Sequence, residues 1–152
     1  MTESFITAQQ LFNRVLEVIE FTDNRYDLQN HLMHETLVLA CHEGLKGTRH
    51  GFGNLSSQVD SLCKKHNIKA QDVIAIHLMR RHSNSIAPIS HNDLLYDCRA
   101  LALFIAAVFN TSIPSYLVDK IPIEGRRTAN IQIANYKYIR CTVLSWNNKY
   151  IK

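Results

Sequence analysis

From Leu11 to Phe109 the apolar residues of this chain recur every three or four positions, and after Gly125 they recur every second one. The first spacing draws a stripe along an α-helix, and the second fills one face of a β-strand. This change of period constrains the fold most: a helical body comes first, and a short stretch of strand follows.

Five helices account for the first part. Thr7-Ala-Gln-Gln10 pairs a hydroxyl with a glutamine three residues on, which is a capping box. Leu11, Phe12, Val15, Leu16, Val18 and Ile19 continue at helical spacing, so helix 1 is expected over about 8–22. After the turn residues Thr22-Asp23-Asn24, a second series runs through Leu28, Leu32, Leu37, Val38, Leu39, Cys41 and Leu45. It is expected as a helix over about 26–45, closed by Gly44 and Gly47. The run GLKGTRHGFGN, residues 44–54, holds four of the five glycines and reads as a loop. Asn54 or Ser56 caps helix 3, which turns Leu55, Val59, Leu62 and Cys63 to the core and ends in Lys64-Lys65-His66. Helix 4, about 70–82, carries Val73, Ile74, Ile76, His77 and Leu78 on or near its buried side and ends in Arg80-Arg81-His82. A connection containing Pro88 leads to helix 5, capped by Ser90 or Asn92 and reaching Phe109.

Residues 110–122 read as a loop with Pro114, Pro122 and a single helical turn near Tyr116–Asp119. Beyond Gly125, Tyr136, Tyr138, Arg140, Thr142, Leu144 and Trp146 share one parity, and Ile139, Cys141 and Val143 the other. Asn147-Asn148 then reads as a hairpin turn. The expected fold is mainly α: an antiparallel bundle of about five helices over 1–112, a linker over 113–130 and a β-hairpin over 131–152. Two strands alone are marginal, so the natural polypeptide is expected to continue past Lys152 into a β-rich region.

Composition narrows the class. The apolar fraction is 46% and the charged fraction 20%, ordinary for a globular domain. The longest apolar run, LALFIAAVF at 101–109, is about half of the ~20 residues a membrane span needs. The N-terminus MTESFITAQQ lacks the pattern of a secretory signal. Cys41, Cys63, Cys98 and Cys141 are widely spaced in apolar segments and are expected as buried free thiols, which suits a reducing, cytoplasmic setting. The net charge of +4 is uneven: residues 1–116 hold ten Lys/Arg against eleven Asp/Glu, and residues 117–152 hold seven against two. Such a basic tail points to a polyanionic partner.

The runs FGNLSSQVDSLCKKHNI (52–68), HLMRRHSNS (77–85) and RALALFIAAVFN (99–110) resemble the helical N-terminal region of long bacterial helicase-like ATPases, in which such a module precedes a superfamily 1 motor. A strand similar to YIRCTVLSWNNKYI leads into that motor. The chain has no GxxxxGK[ST] phosphate loop. The resemblance therefore implies an accessory domain without ATPase activity of its own.

Several residues are candidates for contact or chemistry. Arg80, Arg81 and His82 are suited to phosphate, with Arg49-His50 and Lys64-Lys65-His66 as neighbours if the chain brings them together. The same cations also serve simply to offset helix dipoles. Arg25 and His31 have the spacing of the Arg–His pair in HEPN-type helical ribonucleases, where His moves a proton and Arg stabilises charge on phosphorus. With nine arginines and eight histidines in the chain, one such pair is an ordinary coincidence. Cys63-x-x-His66 and Cys41-His42 have metal-like spacing, but the cysteines fall in apolar stripes, so no metal is expected. Gly51-Phe-Gly53 follows no strand and is not a dinucleotide fingerprint, so no cofactor is expected. In the strand region, Tyr136, Tyr138 and Trp146 interleave with Lys137, Arg140 and Lys149, so that aromatics can stack on bases while cations pair phosphates, and Arg126 and Arg127 of the linker add to the basic tail.

The function these readings favour is a non-catalytic accessory module of a larger nucleic-acid-processing ATPase. Its expected partners are DNA or RNA, the downstream region of its own polypeptide, or further copies of the chain, and no membrane. The alternatives are a HEPN-like metal-independent ribonuclease and an oligomeric interaction bundle.

Overall fold

The computed structural model describes residues 6–21, 26–48, 53–85 and 88–122. These form α1 (Ala8–Glu20), α2 (Tyr26–Gly44), α3 (Leu55–Lys65), α4 (Ala70–Ser83), α5 (His91–Val108) and the short α6 (Ser115–Val118), with no strand among the described residues. The expected hairpin at 131–152 lies outside them, as do Arg25, Arg49, His50, Arg126, Arg127, Arg140 and Cys141.

Local chemistry sets the helix ends. Thr7 Oγ1 accepts from the Gln10 amide at 3.1 Å, and the Gln10 side chain accepts from the Thr7 amide at 2.8 Å, completing the capping box. Asn54, not Ser56, caps α3 by accepting from the Ser57 amide at 2.8 Å, and Ser90 caps α5 through the Asp93 amide at 3.1 Å. Asn67 and Asn110 adopt φ of 52° and 50° just past α3 and α5. This left-handed turn lets the Ile68 amide reach Cys63 O at 3.0 Å and the Thr111 amide reach Ala106 O at 2.9 Å, which satisfies carbonyls the helix leaves open.

The helices run alternately. Gln29 Nε2 donates to Val18 O at 3.0 Å and Arg14 meets Glu35 at 3.0 Å, so α1 and α2 are antiparallel. Asn30 Nδ2 donates to Ser85 O at 3.2 Å, joining the start of α2 to the end of α4. A Cβ placed on Gly44 would lie 2.7 Å from Val108 Cγ1 and 3.0 Å from Leu62 Cδ2, so the end of α2 meets α3 and the end of α5. α2 and α5 thus run parallel to each other, and α1 and α4 run against them. α3 folds back on α4 through the turn 66–69.

The buried stripe of α2 differs from the expected one. Leu28 and Val38 are 41% and 39% exposed, whereas Gln29, Asn30, Met33, Thr36, Leu37, Ala40 and Cys41 are buried. The polar members fit because each finds a backbone acceptor, Thr36 Oγ1 on Leu32 O at 2.7 Å and the two amides as above. The bundle also extends past residue 112. Leu117 of α6 is fully buried, and the Tyr116 hydroxyl accepts from Gln9 at 2.7 Å and donates to Asn13 at 2.9 Å, so the first part of the expected linker is packed on α1.

Candidate functional site

Two regions hold the polar groups that sequence reasoning singled out. The first is the end of the bundle where α2 begins, α4 ends and α5 begins. Six of the eight buried polar residues among those described gather there: Gln29, Asn30, His82, Ser83, Asp93 and Asp97. Burying such groups costs free energy unless they are bonded, so this end is internal structure. The stretch MRRHSNSIAPISHND is accordingly less of a basic surface than its composition suggests. Met79, His82, Ser83, Ile89 and Asp93 within it are buried, with His82 only 3% exposed.

Arg80 is half-buried and committed to a partner. Its Nε–H donates to His77 Nδ1 at 3.0 Å. Because guanidinium only donates, that ring nitrogen is the acceptor, and the proton sits on Nε2. Nε2 then donates to Asp60 Oδ1 at 2.8 Å. Arg80, His77 and Asp60 therefore form a strut between α4 and α3. With both ring nitrogens occupied, His77 is a poor candidate for a general base. His34, on the α2 side of the same seam, has a buried Nδ1 with no hydrogen-bond partner. Burial, then the nearby His31 and Arg80, hold its pKa below the usual histidine value.

His31 lies outside this interior. Its side chain is 72% exposed and its Nε2 stands 3.3 Å from Glu35, which also binds Arg14. Of the metal-like pairs, Cys41 and Cys63 are buried near one another, whereas His42 is exposed and His66 half-buried. Among the described residues no group of three or more His, Cys, Asp or Glu is placed to hold a metal ion. Burial pushes the Cys41 thiol up to about 12, and Cys63 and Cys98 are raised in the same way.

The second region is the turn between α3 and α4. Lys64 and Lys65 close α3, Lys69 opens α4, and all three are exposed. The hairpin geometry sets them apart from Arg80 and Arg81, which lie some 15 Å further along α4 at about 1.5 Å per residue. Lys64 and Lys65 are among the residues the sequence marks as candidates, and Lys69 is not. The signal was a lysine standing where a helix cap belongs.

Charge is divided along the chain in the same sense. Residues 53–85, which make the α3–α4 hairpin, hold five Lys/Arg against two Asp/Glu. The other described residues hold four against eight. No described helix is long and apolar enough to cross a membrane. Comparison of the chain with protein-family models, with curated proteins and with solved structures finds no match to any of the three.

Proposed function

We propose that this chain is a non-catalytic helical module that contributes nucleic-acid contacts to a larger ATPase. The observation that carries the reading is the separation of charge: the α3–α4 hairpin is basic and the rest of the described bundle is acidic. Summed fields of this kind steer polyanions to one face. The segments that resemble the helical region of helicase-like ATPases cover α3, the second half of α4 and the second half of α5, the helix packed on α4. A ribonuclease reading finds less support, because His31 is exposed with its Nε2 3.3 Å from Glu35.

The test is a titration of the full chain against labelled single- and double-stranded DNA and RNA at about 50 and 200 mM salt. Three phosphate contacts predict a loss of roughly 40-fold in duplex affinity across that range. Absence of binding at the lower salt would remove the nucleic-acid reading and leave an interaction bundle whose partner is a protein.

A further inference from the structure

Lys69 is in the wrong place for stability. It occupies the N-cap of α4, with φ −61° and ψ 144°, and makes no side-chain cap bond. That position favours Ser, Thr, Asp or Asn, whose oxygen would accept from the amide two or three residues on. A cation there is also repelled by the positive end of the helix dipole. Lys64 and Lys65 have a folding role, since they face the carbonyl end of α3. Lys69 stands at the amide end of α4 with no cap bond, yet it completes a cluster of three exposed ammonium groups within six residues. The uncapped start of α4 adds a field of the same sign. Asp72, half-buried in the first turn of α4, is the one acid within that turn and the residues just after it.

Residues 53–85 contain no Phe, Tyr or Trp. A nucleic-acid surface without aromatics has no platform on which to stack bases. We infer that the α3–α4 turn, through Lys64, Lys65 and Lys69, reads the phosphate backbone of a duplex without regard to sequence, and that Lys69 is kept at a cost to folding. This rests on the reading of the chain as a nucleic-acid module and adds the ligand class and the contact surface. Duplex is favoured over single strand because its charge density is higher and its counterion release larger.

The test compares the wild-type chain with Lys69→Ser and with Lys64→Ala/Lys65→Ala/Lys69→Ala, on AT-rich duplex, GC-rich duplex and a single strand over a range of salt. Lys69→Ser is expected to raise the melting temperature by roughly 4 °C while weakening duplex binding. The triple variant should lower the duplex salt slope by about 2.7 and the single-strand slope by about 2.1. Its fold-loss should be equal on the two duplexes. Unchanged binding in the triple variant, a loss confined to one sequence, or a larger loss on the single strand would each overturn the inference while leaving nucleic-acid binding in place. A Lys69→Ser chain no more stable than wild type would remove the argument that the residue is kept for function. Failure of the wild type to bind any of the three would overturn the broader proposal as well.

Discussion

The Asp60–His77–Arg80 strut makes a quantitative prediction. Asp60→Ala removes a 2.8 Å bond from a carboxylate to a ring that is 5% exposed. Bonds to charged groups contribute roughly 1.5–3 kcal/mol. The Asp60 side chain is 43% exposed, so water competes for its place and the lower figure applies. His77→Leu keeps an apolar body in the site but takes the acceptor from Arg80 Nε, for a loss of about 1.5–2 kcal/mol. If the two residues act through their shared bond, the double variant does not lose the sum. Once both polar partners are gone no buried ring N–H is left without an acceptor, and the double variant should stand about 1 kcal/mol above additivity. Urea unfolding of the four proteins at constant m value measures this. Additivity within about 0.3 kcal/mol would show that the bond between α3 and α4 contributes nothing beyond its separate ends.

Three other perturbations test the fold and the site. His34 carries a lowered pKa from burial first, then His31 and Arg80, so the unfolded chain takes up its proton more readily than the folded one. Stability should therefore be full above about pH 6.5 and fall as pH drops through it, by at most about 1.4 kcal/mol per pH unit for this one group; His66, lowered by burial and Lys65, adds in the same direction. Denaturation of His34→Gln against pH should give a flatter profile. Gly44→Val should destabilise by about 2 kcal/mol, because its side chain meets Val108 and Leu62, and Val108→Ala in the same chain should restore part of the loss. His31→Ala should change stability by no more than about 0.5 kcal/mol, and neither it nor the wild type should cleave RNA; cleavage that the substitution abolishes would revive the ribonuclease reading.

Much of the helical frame is legible in the sequence because its signals are local. Thr7 with Gln10, Asn54 before Leu55 and Ser90 before His91 announce helix starts through bonds spanning three residues. The interior of α2 is not legible in this way. Gln29 and Asn30 are buried because Val18 O and Ser85 O accept from them, 11 and 55 residues away in sequence. Hydropathy alone puts Leu28 inside and Asn30 outside, and the structure reverses both. Asp93 and Asp97 of α5 are buried for reasons their apolar-rich surroundings in sequence do not disclose. The same limit hides the fate of Arg80. Its charge is visible, but the histidine three residues earlier that accepts from it becomes significant only once Asp60 is seen to anchor that ring.

Lys69 shows the reverse case, in which a local rule is broken. The stretch NIKAQDV has the shape of a helix start, with Asp72 three residues beyond the cap, yet the cap itself is lysine. A serine there would satisfy an open amide and remove a charge from the wrong pole of the helix, together worth about 1 kcal/mol. Sequences that specify a fold are consistent from one level to the next, and departures concentrate where function makes a competing demand. His77 and Asn30 depart from the hydropathy pattern but are repaid by bonds inside the fold. Lys69 departs with no such return, and it is exposed beside two further lysines on the basic hairpin. On the proposal made above, that difference separates a polar residue serving the architecture from one serving a partner.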